Sequence, residues 1–133
     1  MKKLLFFLPV LLLIGAGCST ATPRTASQTS TSINQGEVKE FVMQSYYSPE
    51  KKAAAFSLKE MVVKKGDRVR VKVTDTFGMH NFVIDEYGIS QETPLNQETV
   101  IEFTADKAGE FVYYCSKPGH RASGQWGTLK VTE

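Results

Sequence analysis

The chain has few of the side chains that bind metals or act in acid–base catalysis. Among its 133 residues there are two histidines, His80 and His120, and two cysteines, Cys18 and Cys115. An excess of charge of one sign is also missing, with 16 basic residues against 14 acidic ones. Nucleic-acid binding would need a basic stripe, so we expect no nucleic-acid partner.

Long apolar runs are scarce as well, and the one at the N-terminus is too short to cross a membrane. It covers the eleven residues from Leu4 to Ile14, whereas a membrane-spanning helix needs about 20. The basic start Met1-Lys2-Lys3 precedes this run, and the small residues of Gly15-Ala16-Gly17 follow it. This pattern predicts a signal peptide at residues 1–17.

The ending Gly15-Ala16-Gly17-Cys18 resembles the bacterial lipobox, in which the peptidase cuts before a cysteine that is then lipidated. The resemblance implies that Cys18 carries a lipid and anchors an extracytoplasmic protein to a bacterial membrane, on its periplasmic or outer face. Lipoboxes usually have Leu where this chain has Gly15, so an ordinary secretory cut that leaves Cys18 unmodified or removed is the alternative.

Residues 18–36 have the composition of a flexible tether. Nine of the eighteen residues from Ser19 to Gly36 are Ser or Thr, and large apolar side chains are almost absent. Such a stretch cannot bury enough surface to fold, and its average reach as a coil is about 20–25 Å. Loss of Lys2 and Lys3 with the signal peptide leaves 14 basic against 14 acidic residues.

Residues 37–133 form the predicted folded domain, in which apolar and polar residues alternate. Arg68 to Val73 places valines on one face and cations on the other, as a strand with one buried face requires. The predicted strands are 38–46, 56–63, 68–74, 81–84, 99–104, 110–115 and 128–132. We therefore predict an all-β Greek-key sandwich or barrel of about seven to eight strands, with antiparallel pairing. The segment from Pro49 to Ala55 is predicted as one or two helical turns or as a polar loop.

The remaining cysteine has the spacing of a metal ligand. With Cys18 lipidated, Cys115 is the single thiol of the domain, and an odd cysteine outside the cytoplasm is either reactive or ligated. His120 follows it after four residues and Gln125 after four more, while His80 begins an apolar segment upstream. A thiolate, two imidazoles and a weak axial Met, Gln or backbone oxygen bind copper in blue-copper sites. The pattern predicts one copper ion held by His80, Cys115 and His120, with Gln125 or a backbone oxygen as axial ligand.

Simpler interpretations of the same residues exist. A lone Cys is more often a packed core residue, and a lone His is more often merely hydrogen-bonded; the joint spacing argues against both. A His-His-Cys site also suits zinc, although Cu(II) binds more tightly to most such sites. A metal-free β-sandwich that serves as an interaction module is the third alternative.

The segment from Tyr114 to Leu129 resembles the copper-binding signature of the cupredoxins, the plastocyanin-like blue-copper proteins. The segments Val63–Asp67, His80–Phe82 and Phe103–Gly109 resemble further landmarks of that family, and the resemblance extends roughly from Val38 to Glu133. It implies a cupredoxin-like fold with one type 1 copper ion and His80, Cys115 and His120 as equatorial ligands.

The sequence departs from most cupredoxins at the axial position, where it has Gln125 instead of Met. Gln is the axial ligand in the stellacyanin branch, and an amide oxygen is harder than a thioether and favours Cu(II). We therefore expect a lower reduction potential than in Met-ligated relatives. Met79 adjoins His80 and is the alternative thioether, but adjacent side chains of an extended chain point to opposite faces.

Supporting residues follow from chemistry and from the resemblance together. We expect Asn81 to tie the His80 segment to the ligand loop, and Ser116 to donate to the thiolate or to Asn81. The resemblance also implies that electrons enter and leave at the solvent edge of His120, which Pro118 frames. A second port at Tyr114 is a weaker implication, because acidic surroundings are not evident in this sequence.

The cupredoxin resemblance implies a one-electron carrier that cycles between Cu(II) and Cu(I), and the lipobox resemblance implies that it is tethered to a membrane. Its expected partners are redox proteins such as a cytochrome, an oxidase or a reductase, and we expect a monomer. No enzymatic activity is expected, because both histidines and the only mature thiol bind the metal and no general base is left. The alternative is a lipoprotein that stores, delivers or senses copper with the same ligands and without electron shuttling.

Overall fold

The computed structural model describes residues 37–133. The predicted signal peptide, the predicted lipidation of Cys18 and the predicted tether lie outside the described residues. Within residues 37–133, no helix has the length and apolar character needed to cross a membrane.

Nine strands and one 3-10 turn make up this part of the chain. They are β1 (Val38–Ser48), β2 (Ala53–Phe56), β3 (Glu60–Lys64), β4 (Arg68–Asp75), β5 (His80–Ile84), the 3-10 turn (Asp85–Tyr87), β6 (Ile89–Thr93), β7 (Glu98–Thr104), β8 (Gly109–Tyr114) and β9 (Trp126–Thr132). They form a four-stranded sheet in the order β2-β1-β4-β7 and a five-stranded sheet in the order β3-β9-β8-β5-β6. The predicted all-β sandwich is confirmed, with nine strands where about seven to eight were expected.

Both sheets are mixed. β1 runs parallel to β4, and β3 runs parallel to β9, while the remaining neighbours are antiparallel. The predicted antiparallel pairing is therefore wrong for these two pairs. Alternation of apolar residues says which face of a strand is buried, but it is the same for both strand directions.

Three segments differ from the predicted strands for identifiable reasons. The predicted strand 56–63 is divided, because Phe56 ends β2 in one sheet and Glu60 begins β3 in the other. The segment from Pro49 to Ala55 contains no helix, since a turn leads directly into β2, which pairs with the end of β1. β6 (Ile89–Thr93) was missed because its middle residues are exposed and polar.

The core lies between the two sheets. Val69, Val71 and Val73 of β4 are buried as their alternation predicts. Tyr113 of β8 stacks on Phe82 of β5, with ring centroids 5.4 Å apart. Its hydroxyl donates to the Leu58 carbonyl at 2.9 Å. Tyr113 lies shortly before Cys115 in the chain, and Phe82 lies shortly after His80. The packed aromatic residues therefore adjoin the candidate ligands.

Candidate metal centre

The sheet brings two of the predicted ligands to the same end of the sandwich. His80 is the first residue of β5, and Cys115 directly follows β8. β5 and β8 are neighbours, with Val83 opposite Tyr114. Because antiparallel neighbours place the start of one strand beside the end of the other, His80 meets Cys115 across 35 residues of chain.

The other two predicted ligands lie in the loop between β8 and β9, which folds back on itself. The Gln125 N–H donates to the His120 carbonyl at 3.0 Å, and the Cys115 N–H donates to the Gln125 carbonyl at 3.1 Å. The loop begins and ends at the same place as a result, and Gln125 returns to the side of Cys115. The structure thus brings all four predicted residues together.

Three donor atoms converge at this point. Cys115 Sγ lies 3.4 Å from His120 Nδ1 and 3.8 Å from His80 Nδ1, and the two nitrogens are 3.1 Å apart. Metal–ligand bonds of roughly 2.0–2.3 Å in a trigonal arrangement would separate such donor atoms by roughly 3.5–3.8 Å. The three atoms therefore already stand close to the spacing of a trigonal metal site.

The environment of His80 determines which of its nitrogens is free for a metal. Its Nε2 is hydrogen-bonded to the carbonyl oxygen of Phe77. A carbonyl oxygen only accepts, so Nε2 carries the proton and Nδ1 has the lone pair. His80 is 2% exposed and Cys115 is fully buried, whereas His120 is partly exposed. Among the three donors, only His120 reaches solvent.

The surroundings of Cys115 favour the thiolate that metal binding requires. Burial raises the pKa of the thiol, but the His80 imidazole in its protonated form and the backbone N–H groups of Asn81 and Lys117 outweigh this effect, so the net pKa is lowered. The sulfur is thus inaccessible to bulk solvent and at the same time surrounded by hydrogen-bond donors.

Gln125 is fully buried and presents its carbonyl oxygen without a partner. Its Nε2 donates to Ser45 Oγ at 2.8 Å, while Oε1 has no hydrogen-bond partner among the described residues. Gln125 also neighbours His120: burial lowers the pKa of that imidazole, and the Gln125 side chain partly opposes this shift. A buried acceptor without a donor is unusual in a folded protein, and a cation would satisfy it.

This donor set fits a copper ion. The donor atoms of one thiol and two imidazoles converge at 3.1–3.8 Å from one another, and the uncharged, unpartnered oxygen of Gln125 belongs to a side chain that neighbours His120. Thiolate and imidazole together suit copper, and a trigonal His₂Cys set with a weak axial oxygen is characteristic of blue-copper sites.

Asn81 and Ser116 join the two segments that provide the ligands. Asn81 Nδ2 donates to Ser116 Oγ, and the Ser116 backbone N–H donates to Asn81 Oδ1, both at 2.8 Å. The expected link between the two segments is therefore present. The Ser116 hydroxyl accepts this bond from Asn81 and does not donate to it; of the two expected acceptors, only the thiolate is left.

Three residues near the centre had no signal in the sequence. Ser45 on β1 holds the Gln125 amide, and Asp75 at the end of β4 is fully buried beside His80. Lys59, in the turn before β3, donates to the carbonyl oxygens of Gly124 and Trp126 at 3.0 and 3.2 Å. The two Lys59 contacts flank Gln125 and connect positions 65 or more residues apart, which no local pattern reveals.

The surface around His120 is apolar. A cavity of about 590 Å³ opens there, and Lys52 and Lys117 are its only charged lining residues in the described part of the chain. Apolar residues that border it include Tyr47, Phe77, Met79 and Pro118. Met79 is 79% exposed, so its thioether points away from the converging donors.

Two aromatic residues near the ligand loop lie outside this cavity. The Tyr114 hydroxyl donates to the Asp85 carboxylate at 3.0 Å, and the Arg121 guanidinium lies 4.2 Å from the centre of the Tyr114 ring. Trp126 is 46% exposed. Gln125 and Gly127 on either side of it are buried, so the Trp126 side chain points to the opposite face and does not shield the centre.

Comparison with known proteins gives matches in sequence and in structure. A family model described as a cupredoxin-like domain matches residues 10–126. The nitrous-oxide reductase of Stutzerimonas stutzeri is 41% identical over 68 residues, which cover 48% of this chain and 11% of the reductase. The chain thus spans about a tenth of that relative.

Two solved structures share the fold. A copper nitrite reductase from Nitrosomonas europaea superimposes with a TM-score of 0.64 at 20% identity, covering 72% of this chain and 42% of the reductase chain. Dithionite-reduced auracyanin from the photosynthetic bacterium Roseiflexus castenholzii gives a TM-score of 0.57 at 23% identity, covering 74% of this chain and 100% of auracyanin. At these identities the likeness establishes the fold.

Proposed function

The chain belongs to the cupredoxin-like family, and on that basis we propose that it is a one-electron carrier with a single type 1 copper ion. His80, Cys115 and His120 would hold the ion. When bound, copper supplies a Cu(II)/Cu(I) couple that takes one electron from a reduced protein and gives it to an oxidised one. The observation that carries this proposal is the convergence of three donor atoms in a buried site from which only His120 reaches solvent.

The protein's role in this function is to keep the ligands rigid and to exclude water from them. The double hydrogen bond between Asn81 and Ser116 and the Lys59 contacts fix the loop that carries three of the proposed ligands. A ligand set that keeps its geometry in both oxidation states needs little rearrangement when an electron moves. Both histidines of the chain face the candidate centre, so no imidazole is left for proton transfer to a substrate, and we propose no enzymatic activity.

We propose Gln125 Oε1 as the axial ligand. The orphaned oxygen and the hydrogen bond from Nε2 to Ser45 support this choice, because they turn the oxygen and not the nitrogen toward the site. An amide oxygen stabilises Cu(II) relative to Cu(I) more than a thioether does. The reduction potential should therefore lie below that of Met-ligated relatives.

Electrons would enter and leave through the exposed edge of His120. The surrounding apolar surface, with Phe77, Met79 and Pro118, suits a transient partner that must approach closely and leave again. Tyr114 is a less direct route, because Arg121 covers its ring and Asp85 binds its hydroxyl. The partners would be a cytochrome, an oxidase or a reductase.

The place of action follows from the N-terminal sequence. We propose that Cys18 is lipidated, so that residues 18–36 tether a monomeric domain to a bacterial membrane on its periplasmic or outer face. The domain would then meet membrane-bound or periplasmic redox partners within the reach of the tether.

The first test is to add Cu(II) to the full chain in detergent and to record visible and electron paramagnetic resonance spectra. We expect an intense blue thiolate-to-copper band with a narrow copper hyperfine splitting, and neither feature in Cys115→Ser. A colourless complex in the unaltered chain would contradict the type 1 site.

A second measurement separates electron transfer from copper delivery. The copper-loaded chain is mixed with reduced cytochrome c in a stopped-flow instrument, and separately with a Cu(I) chelator. A carrier should be reduced rapidly and should keep its copper. Slow reduction together with ready loss of Cu(I) would favour storage or delivery.

A further inference from the structure

Asp75, the last residue of β4, has a buried carboxylate next to the Nε2 side of the His80 ring. Its side chain is fully buried, and Oδ1 lies 3.8 Å from His80 Nε2. Its other oxygen, Oδ2, has no hydrogen-bond partner among the described residues. Aspartate is rarely buried completely, because removing a carboxyl group from water costs free energy. A residue kept at that cost calls for a structural reason.

The hydrogen bonds of Asp75 supply one. Asp75 Oδ1 accepts the Phe77 backbone N–H at 3.1 Å. The carbonyl of the same residue, Phe77, accepts the proton of His80 Nε2. The carboxylate therefore holds a backbone segment whose carbonyl determines the tautomer and the ring orientation of His80. With Nε2 occupied in this way, Nδ1 faces Cys115 and His120.

The segment between Asp75 and His80 has little freedom to adopt another arrangement. Gly78 has φ +86°, and a β-carbon on it would lie 3.2 Å from His80 Nε2, so the loop passes closely over the ring. The start of the loop is anchored on both sides. The Thr76 N–H donates to the Ser45 carbonyl at 2.9 Å, and the Asn96 N–H donates to the Asp75 carbonyl at 2.7 Å.

We propose that Asp75 is a positioning residue that holds His80 in its Nε2–H tautomer by binding the backbone N–H of Phe77. It acts through a hydrogen bond, so any side chain of the same shape that accepts this bond can replace Asp75. Its effect on copper rests on the proposed function, whereas its effect on the His80 ring is a property of the protein itself.

Two substitutions separate the hydrogen bond from the charge. Asp75→Asn keeps an oxygen that accepts the Phe77 N–H and removes the charge, and Asp75→Ala removes both. The matched control is Asp67, at the other end of β4, which is 5% exposed and accepts the Lys64 N–H at 2.9 Å. Asp67→Ala therefore loses a comparable buried hydrogen bond away from His80.

The primary readout is nitrogen-15 NMR of the histidine rings in the copper-free full chain. We expect the unaltered chain, Asp75→Asn and Asp67→Ala to show His80 as the Nε2–H tautomer with a slowly exchanging ring proton. Asp75→Ala should show mixed tautomers and fast exchange. A single Nε2–H tautomer in folded Asp75→Ala would overturn the proposal, and so would mixed tautomers in Asp75→Asn, because the charge would then be the relevant feature.

The second readout is copper affinity, measured by competition with a chelator. Loss of a supporting residue typically weakens metal binding by about 10–100-fold, and we expect a loss of that size in Asp75→Ala, with recovery in Asp75→Asn. An equal loss of copper affinity in Asp67→Ala would mean that the effect comes from general destabilisation, and it would overturn the proposal. If the unaltered chain binds no copper, the proposed function fails, while the NMR result still decides the role of Asp75.

Discussion

Ser45 and Gln125 are joined by a hydrogen bond of 2.8 Å across 80 residues of chain. Gln125 Nε2 is the donor and Ser45 Oγ the acceptor, and both side chains are fully buried. This bond holds the amide nitrogen on β1, and the oxygen of the same amide has no hydrogen-bond partner among the described residues. A residue in the first strand thus orients the predicted axial ligand in the last loop.

Ser45→Ala should destabilise the domain. The substitution leaves the Gln125 amide N–H buried without an acceptor, and such a group costs about 1–3 kcal/mol. Urea unfolding of the copper-free chain measures the difference in the free energy of unfolding. Ser48→Ala is the matched control, since Ser48 Oγ accepts only a long 3.4 Å bond from the Lys51 N–H near the surface. Equal losses in the two variants would contradict the importance of the Ser45 bond.

Gln125→Met should raise the reduction potential of the copper-loaded protein. The thioether is softer than the amide oxygen and stabilises Cu(I) relative to Cu(II), which shifts the couple upward. A spectroelectrochemical titration of the blue band measures the shift. Gln91→Met, at an exposed position on β6, controls for the added methionine and should leave the potential unchanged. An unchanged or lower potential in Gln125→Met would argue against Gln125 as the axial ligand.

Gly127→Ala should destabilise the fold because β9 passes directly beside Tyr113. A β-carbon on Gly127 would lie 2.3 Å from the Tyr113 ring and hydroxyl and 2.7 Å from the Lys59 carbonyl oxygen. Overpacking of this kind typically costs about 1–3 kcal/mol, and we expect the upper part of that range in urea unfolding. Lys130→Ala, at an exposed position of the same strand, should stay within about 0.5 kcal/mol. A neutral Gly127→Ala would show that Tyr113 moves freely.

Met79→Glu should slow electron exchange with a redox partner. Met79 is 79% exposed at the edge of the cavity over His120, and a carboxylate there would have to be desolvated when a partner docks. We expect a drop in the second-order rate with cytochrome c of about fivefold to tenfold, as for a central interface residue. Val42→Glu adds the same charge at a 66% exposed position that does not line this cavity. Similar slowing by both variants would mean that net charge, and not the His120 surface, controls the rate.

Much of the strand structure could be predicted because apolar and polar residues alternate along the strands. β4 buries its three valines and places its cations on the other, more exposed face as predicted, and Tyr113 of β8 and Cys115 directly after this strand are both buried. The predicted strand 56–63 was wrong in its middle, because the chain changes sheets between Phe56 and Glu60 and no residue type there marks the change. β6 has too few buried residues to show a period.

The candidate site, like the strands, was predictable where its signal lies in local sequence spacing. The even spacing from Cys115 through His120 to Gln125 indicated a metal centre, and the structure brings these residues to His80. Asp75 and Lys59 resemble ordinary residues in a polar turn when they are seen only in sequence. The role of Lys59 depends on the distant Gly124 and Trp126 carbonyls, and that of Asp75 on the path of the loop from Asp75 to His80, which residue types alone do not determine.

The sequence by itself determined the class of fold, the buried face of the main strands and the identity of the three side chains whose donor atoms converge. Each of these is a property of a few consecutive residues, since strand periodicity and loop spacing are local. Only the tertiary structure decided that β1 lies parallel to β4 and β3 to β9, and that Ser45 holds Gln125. These contacts arise from strand order and register, which the packing of the whole core selects, and a β-sheet brings together residues that are far apart in the chain.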